Sequence, residues 1–169
     1  NKIKINSFEK RLCGKYRPGH FKAVVDVVDR FIKIIKPSKI FFGEKDMQQL
    51  KIIEHFITKN YTGIKVIGCK TIREKNGIAC SSRNFLLSLN EKKIASKIYK
   101  YIKYKKRKII KKQINLKTIK KNIYKLGVKK IDYIEILDIN KIISNHIKNT
   151  KFRIFVAYYL RSTRIIDNI

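Results

Sequence analysis

A short apolar run in this chain is followed directly by apolar residues at helical spacing. Residues 40–42, Ile-Phe-Phe, have the pattern of a buried strand, and Gly43 ends it. Beyond Asp46 the apolar positions fall on one helix face, at Met47, Leu50, Ile53, Phe56 and Ile57. This pattern predicts a strand, a tight connection over residues 43–46, and a helix to about Asn60 with Asp46 as its N-cap.

The flanking segments continue the alternation of helix and strand. Pro18 and Gly19 interrupt the chain, and a helix is predicted from there to Pro37. Its apolar stripe consists of Phe21, Val24, Val25, Val28, Phe31, Ile32 and Ile35. Residues 64–67 predict a second buried strand. We therefore expect an α/β fold with an incomplete Rossmann-like parallel sheet, in which ligands bind at the carboxyl ends of the strands.

The second half of the chain has a different pattern. An Asn-Gly pair at residues 76 and 77 predicts a turn, and Ser88 and Glu91 have the spacing of a capping box that starts a long helix. The pattern then predicts a further helix and three strands, over residues 116–126, 131–137, 152–160 and 164–167. This half predicts a small α+β domain, so we place the two domains at residues 1–80 and 81–169.

The chain is strongly basic, with 42 lysine and arginine residues against 12 aspartate and glutamate residues and a net charge of +30. Residues 100–112 concentrate this charge on one predicted helix with Tyr101 and Tyr104 interleaved, so a nucleic-acid-binding module is one alternative function. The excess is mostly lysine in a chain also rich in isoleucine and asparagine, a bias that an AT-rich genome produces regardless of function. Nucleic acid is therefore not the partner that we expect.

The three cysteines, Cys13, Cys69 and Cys80, lack the spacing of a metal site or a disulfide framework. They predict reduced thiols in a cytoplasmic protein. No apolar run approaches the roughly 20 residues of a membrane span, so we expect no membrane association.

Two polar groups suit a phosphate ligand. Gly43, Lys45 and a helix N-terminus are predicted to lie together, and free N–H groups and the helix dipole attract anions. The second group is the tripeptide at residues 81–83, Ser-Ser-Arg, whose hydroxyl and guanidinium groups donate to phosphate oxygens. Alone, such a tripeptide is common in surface loops.

Three motifs, in this order and spacing, resemble the pantoate-β-alanine ligases, also called pantothenate synthetases. They are Arg-Pro-Gly-His-Phe at residues 17–21, Phe-Gly-Glu-Lys-Asp-Met-Gln-Gln-Leu at residues 42–50, and Ser-Ser-Arg-Asn at residues 81–84. The ending Leu-Arg-Ser-Thr-Arg-Ile-Ile-Asp-Asn at residues 160–168 matches as well. The resemblance covers the whole chain, but only about the C-terminal three fifths of a family member.

The resemblance implies an AMP-forming ligase of pantothenate (vitamin B5) and coenzyme A biosynthesis. ATP and pantoate would form pantoyl adenylate and pyrophosphate with Mg2+, and the amine of β-alanine would then displace AMP. The complete enzyme would be a cytoplasmic homodimer.

The resemblance also assigns roles to individual residues. The positions that match the ATP-binding segments are Gly43, Glu44, Lys45, Asp46, Ile72, Cys80, Ser81, Ser82 and Arg83. Ile72 falls at the adenine pocket, and Cys80 replaces an apolar residue usual in the family. The catalytic candidates, which would stabilise charge on the α-phosphate, are Lys45, Ser81, Ser82 and Arg83. Gln49 matches a glutamine that binds pantoate, and Arg17 and His20 are expected near the site.

Family members also carry, N-terminal to the matched region, a nucleotide-binding motif with two histidines close together and a further glutamine. This chain has neither, so we expect it to be inactive alone. We also expect its incomplete sheet to leave a strand edge and apolar helix faces exposed. Three alternatives remain open: a truncated sequence, an enzyme split between two polypeptides, and a decayed remnant without activity.

Overall fold

Helices and strands alternate in the first half of the chain and separate in the second. The computed structural model describes residues 7–142 and 149–169. In chain order its helices and strands are α1 (Leu12–Tyr16), α2 (His20–Ile35), β1 (Lys39–Gly43), α3 (Met47–Asn60), β2 (Lys65–Cys69), α4 (Leu89–Ile110), α5 (Leu116–Lys125), β3 (Lys130–Asp138), β4 (Phe152–Leu160) and β5 (Thr163–Asn168). Within the described residues, no helix is long and apolar enough to cross a membrane.

The chain divides into two compact units. Of the described residues, the N-terminal unit comprises 7–70 with 139–142 and 149, and the C-terminal unit comprises Thr71–Asp138 with Thr150–Ile169. The predicted domain boundary, between residues 80 and 81, therefore falls inside the C-terminal unit.

Helix α2 lies where the sequence predicts it. Gly19 precedes it with a φ of +77°, which glycine adopts without strain, and Lys36 ends it in the left-handed conformation, one residue before Pro37. The predicted apolar stripe is only partly buried, because Phe31 and Ile35 are exposed. These two exposed side chains agree with the expectation that an incomplete sheet leaves apolar helix faces exposed.

Strands β1 and β2 pair in parallel, with α3 as the connection between them. Gly43 lies opposite Cys69, so the carboxyl ends of the two strands meet at one edge, as predicted. Helix α3 buries its whole predicted stripe, but Phe41 of β1 is 62% exposed. The prediction of buried strands is wrong for β1 and β2 alike, since neither contains a fully buried residue, because a described sheet of only two strands covers little of its own surface.

The segment before α2 has structure that the sequence pattern does not predict. A 3-10 helix, Ser7–Lys10, and α1 are fixed by the buried side chain of Gln48 in α3. Gln48 Nε2 donates to the carbonyl oxygens of Phe8 at 2.9 Å and Arg11 at 2.8 Å, and its Oε1 accepts from the N–H of Cys13 at 3.0 Å. One buried amide therefore organises this segment.

Residues 73–79 form a hairpin in the C-terminal unit, closed by the predicted Asn-Gly turn and a bridge between Arg73 and Ala79. The Arg73 guanidinium donates to both carboxylate oxygens of Asp167, at 2.7 and 2.9 Å, and lies 4.2 Å from the centre of the Tyr99 ring. These contacts fasten the hairpin to β5 and α4, which places it in the same unit as those elements.

The rest of the C-terminal unit packs two helices against an antiparallel sheet of order β3-β4-β5. Ser88 and Glu91 form the predicted capping box at the start of α4. The core is built mainly from branched aliphatic side chains, including Ile98, Ile102, Ile109, Ile119, Ile123, Ile154, Val156 and Leu160. The small α+β architecture is therefore as predicted.

The variant Gln48→Glu is expected to destabilise the chain by about 2–4 kcal/mol, because its carboxylate would face two buried carbonyl oxygens. Gln49→Glu is the matched control: it lies beside Gln48 on α3, is half-buried, and should cost less than about 1 kcal/mol. Urea denaturation followed by circular dichroism would measure both. Equal losses would contradict the anchoring by Gln48.

Candidate functional site

A turn of 3-10 helix, Glu44–Asp46, connects β1 to α3. Helix α3 begins directly after Asp46, as predicted, but the Asp46 side chain makes no capping hydrogen bond, so the predicted N-cap role is wrong. Because the chain already coils before α3, Asp46 has a φ of −95° and a ψ of 53° rather than the extended conformation typical of a capping residue.

Glu44 and Lys45 are both half-buried in this turn. Glu44 lies beside Gly68 of β2: a Cβ atom at residue 68 would be 3.5 Å from Glu44 Cγ and 3.1 Å from the side chain of Leu50. A larger residue at position 68 would press on both side chains. The glycine therefore lets the turn approach the carboxyl end of β2 closely.

An apolar groove of about 900 Å³ runs along α2 and β1. We call it the α2–β1 groove, and its walls include Val24, Val27, Val28, Phe31, Ile40 and Phe41. Gln49 of α3 also lines it. The adjacent Gln48 uses its amide in three hydrogen bonds to backbone groups, whereas Gln49 is a half-buried residue of the groove lining.

Arg17 and His20 lie in the same unit as this turn and interact with each other. Arg17 Nη1 is 3.2 Å from His20 Nε2, and because an arginine can only donate, this histidine nitrogen accepts and the imidazole is neutral. Partial burial and the charge of Arg17 lower the pKa of His20 below its ordinary value of 6.5, while Asp46 acts in the opposite direction. The two residues are thus electrostatically coupled to the Glu44–Asp46 turn.

In the C-terminal unit, residues 80–83 lead from the hairpin into the 3-10 helix Ser82–Leu86. Ser81 caps this helix, its Oγ accepting from the N–H of Arg83 at 3.3 Å. Cys80, Ser82 and Arg83 are exposed, and Ser81 is half-buried. The segment therefore presents a hydroxyl and a guanidinium to solvent, and the Ser81 hydroxyl keeps its proton for donation.

Asn84 fixes this segment, although the sequence assigns it no role beyond its place in a motif. It is 5% exposed, and its Nδ2 donates to Glu74 Oε1 at 2.6 Å and to the carbonyl oxygen of Ala79 at 3.1 Å. The only signal in the sequence is a polar residue directly after Ser-Ser-Arg.

Ile72, which is expected at an adenine pocket, is 75% exposed.

The structure thus groups the site residues by unit. The N-terminal unit holds Arg17, His20, Gly43, Glu44, Lys45, Asp46 and Gln49, and the C-terminal unit holds Ile72, Cys80, Ser81, Ser82 and Arg83. In the C-terminal unit, Asn84 anchors the Ser81–Arg83 segment through Glu74 and Ala79.

The basic helix α4 provides little for the alternative of nucleic-acid binding. Ile98, Ile102 and Ile109 are fully buried, so one face of α4 belongs to the core. Tyr101 is turned inward, where its hydroxyl accepts from Asn122 Nδ2 at 2.8 Å, and Tyr104 alone of the interleaved pair is exposed. Proteins that bind single-stranded nucleic acid stack successive bases on several aromatic rings. Of Tyr101 and Tyr104, only Tyr104 has an exposed ring.

The described residues contain no group of three or more His, Cys, Asp or Glu side chains that could hold a metal ion. Magnesium bound together with a nucleotide takes most of its ligands from phosphate and water. A nucleotide-borne magnesium ion is therefore compatible with these residues.

Comparison with known proteins gives a consistent result. The family model described as Pantoate-beta-alanine ligase matches residues 1–169. A pantothenate synthetase of Flavobacterium psychrophilum is 35% identical over 168 residues, covering 97% of this chain and 60% of the relative. One from Carboxydothermus hydrogenoformans is 37% identical over 161 residues, covering 93% of this chain and 57% of the relative.

Solved structures agree. The pantothenate synthetase of Thermus thermophilus superposes with a TM-score of 0.79 at 28% identity, covering 96% of this chain and 60% of that one. The pantoate-β-alanine ligase of Francisella tularensis, complexed with β-γ ATP and β-alanine, has a TM-score of 0.72 at 33% identity, with 96% and 54% covered. The chain spans about three fifths of the length of its relatives. The motifs, the fold and the sequence similarity agree over that span. The chain belongs to the pantoate-β-alanine ligase family.

Proposed function

We propose that the complete protein condenses pantoate with β-alanine to give pantothenate. The pantoate carboxylate attacks the α-phosphorus of ATP and pyrophosphate leaves; the β-alanine amine then attacks the acyl carbon and AMP leaves. The observation that supports this most is the family match over all 169 residues, with the matched motifs at the carboxyl end of β1 and after the hairpin. A relative that carries ATP and β-alanine together fits the same reaction.

Within this proposal the two polar groups bind ATP. Gly43, Glu44, Lys45 and Asp46 form one ATP-binding segment, and Cys80, Ser81, Ser82 and Arg83 form the other, with Ile72 against the adenine. Lys45 and Arg83 carry the positive charges, and Ser81 and Ser82 supply neutral donors. Such groups favour the transition state because negative charge develops on the α-phosphate oxygens and on departing pyrophosphate.

Gln49 is proposed to bind pantoate. Pantoate combines hydroxyl and carboxylate groups with a quaternary dimethyl carbon, so a half-buried amide on an apolar wall suits it. Gln49 lies on such a wall, with Val28 and Phe31 among the other lining residues. Arg17 and His20 remain proposed as neighbours of the site.

Other features of the complete protein follow from the same proposal. Mg2+ enters with ATP, is held mainly by its phosphates, and offsets their charge when bound. The protein is proposed to be a cytoplasmic homodimer. This chain alone is expected to be inactive, because it lacks the family's paired histidines and second glutamine.

The decisive experiment is pantoate-dependent exchange of pyrophosphate into ATP. The 169-residue chain would be assayed alone, and again fused behind the N-terminal two fifths of the F. psychrophilum relative. We expect exchange only in the fusion. A folded but silent fusion would contradict the proposed function and favour a decayed remnant.

In the active fusion, Lys45→Ala is expected to lower the exchange rate at least about a hundredfold, because the positive charge that offsets developing negative charge on the phosphate is lost. Lys59→Ala is the matched control, since Lys59 is an exposed residue in the last turn of α3, and its rate should stay within about twofold of the parent fusion. A near-normal rate for Lys45→Ala would remove that residue from the mechanism.

Gln49→Ala is expected to raise the KM for pantoate about tenfold or more, with little change in the KM for ATP. The loss of an amide that contacts one substrate should weaken that substrate selectively. Initial rates at varied concentrations of each substrate would separate the two constants. An unchanged pantoate dependence would remove Gln49 from this role.

NMR titration of the 169-residue chain should give His20 a pKa below 6.5. Arg17→Gln should raise this value and Asp46→Asn should lower it further, while His55, whose lowered pKa has its own local causes, stays unchanged. A histidine with a lowered folded pKa makes stability fall as the pH drops below about 6.5, because the unfolded chain then binds more protons. Insensitivity of His20 to both variants would contradict the coupling.

A further inference from the structure

Glu74, a half-buried carboxylate of the hairpin at residues 73–79, bridges two side-chain amides. Its Oε1 accepts from Asn84 Nδ2 at 2.6 Å, and its Oε2 accepts from Asn76 Nδ2 at 3.0 Å. A carboxylate accepts hydrogen bonds at both oxygens, whereas a glutamine in its place would present one N–H2 group. Hydrogen bonds to a charged acceptor are also stronger than those between neutral groups. Glu74 therefore ties two separate asparagines to one point.

The Asn76 end of this bridge is fixed to helix α4. Asn76 Oδ1 accepts from the N–H of Ile78 at 2.9 Å, which closes the turn of the hairpin. The carbonyl oxygen of Asn76 accepts from Ser96 Oγ at 2.6 Å, and Ser96 is a buried residue of α4. The hairpin turn, and with it one side of the Glu74 carboxylate, is thus held by a helix that packs in the core.

The Asn84 end of the bridge holds the Ser-Ser-Arg segment. The backbone N–H of Asn84 donates to the carbonyl oxygen of Ser81 at 3.0 Å, so Asn84 closes this turn while its side chain lies against Glu74. The Nδ2 group also donates to the carbonyl oxygen of Ala79 at 3.1 Å. A reversed amide would lose both contacts, because an oxygen would then face two acceptors. A displacement of Glu74 would therefore displace the turn.

We propose that Glu74 is a positioning residue for ATP, which acts through Asn84 to fix the donor groups of residues 81–83. Both oxygens of Glu74 are engaged by amides, so its effect on the nucleotide passes through them. Donors that are held in place before the ligand arrives need little reordering when it binds. This inference rests on the proposed function, because the turn is an ATP-binding segment only within that proposal.

Hydrogen exchange of the 169-residue chain tests the bridge without any enzyme activity. Glu74→Ala removes both acceptor oxygens, so the backbone amide of Asn84 should exchange about tenfold or more faster. The amides of α5 should keep their rates. Lys75→Ala is the matched control, since Lys75 is an exposed neighbour on the same hairpin, and it should leave the Asn84 amide within about twofold. Circular dichroism would confirm that the helix content is retained.

A paired substitution separates the bridge from the charge of Glu74. In Glu74→Gln combined with Asn76→Asp, the new amide oxygen can accept from Asn84, and the new N–H2 group can donate to the new carboxylate at residue 76. That carboxylate can still accept from the N–H of Ile78. The protection of the Asn84 amide should return to within about threefold of the parent chain. Continued fast exchange in this folded variant would overturn the bridge.

Kinetics of the active fusion test the effect on ATP. Glu74→Ala should lower kcat/KM for ATP about tenfold or more and leave the KM for pantoate within about twofold, a selectivity that a general loss of stability would not produce. In an Asn84→Ala background, Glu74→Ala should have little further effect, whereas its loss should multiply with that of Lys45→Ala. Unchanged ATP kinetics, or independent effects of Glu74 and Asn84, would contradict the positioning role.

The two proposals can fail separately. Fast exchange of the Asn84 amide in Glu74→Ala, together with a fusion that is silent in the pyrophosphate assay, supports the bridge and contradicts the proposed enzyme function. An active fusion with full protection of that amide in Glu74→Ala supports the function and contradicts the bridge.

Discussion

The N-terminal unit depends on how its apolar surface is covered. Helix α3 meets this requirement within the chain, because every predicted apolar position on it is buried. Helix α2 does not, since Phe21, Val25 and Ile32 are buried and Phe31 and Ile35 are left in solvent. Each large side chain left exposed forgoes roughly 1.5–3 kcal/mol of burial energy. The described part of the unit therefore leaves apolar surface of α2 and β1 uncovered.

The proposed catalytic residue Lys45 lies in the turn that directly follows the paired strand β1. The carboxyl ends of β1 and β2 are held in register from Lys39 to Gly43, and Gly68 lets Glu44 pack against the second strand. Lys45 follows the paired strand by two residues and lies in the 3-10 turn Glu44–Asp46. A charge that is fixed in advance stabilises a transition state better than one that must be recruited.

Much of this fold could be predicted from local patterns. The limits of α2, the capping box at Ser88 and the C-terminal hairpin follow from proline, capping residues and alternation, which act over a few neighbouring residues. The candidate segments at residues 43–46 and 81–83 can be found from residue type alone, because glycine, lysine, serine and arginine suit phosphate.

The features that local sequence patterns do not predict share one cause. They depend on contacts between residues that are far apart in the sequence. Gln48 and Gln49 are indistinguishable by type, yet Gln48 is committed to the backbone of Phe8, Arg11 and Cys13. Asp46 has the composition of an N-cap but not the backbone conformation. The second unit begins earlier than the change in pattern suggests, because the Arg73 contact to Asp167 spans 94 positions.

Two buried amides, those of Gln48 and Asn84, act as internal anchors of the chain. Gln48 holds the start of the N-terminal unit, and Asn84 holds the Ser81–Arg83 turn through Glu74 and Ala79. Both amides are satisfied by groups within the chain, and Asn84 thereby fixes the shape of the Ser81–Arg83 turn. The proposed catalytic segments are thus short polar turns, whereas the exposed side chains of α2 and β1 are apolar.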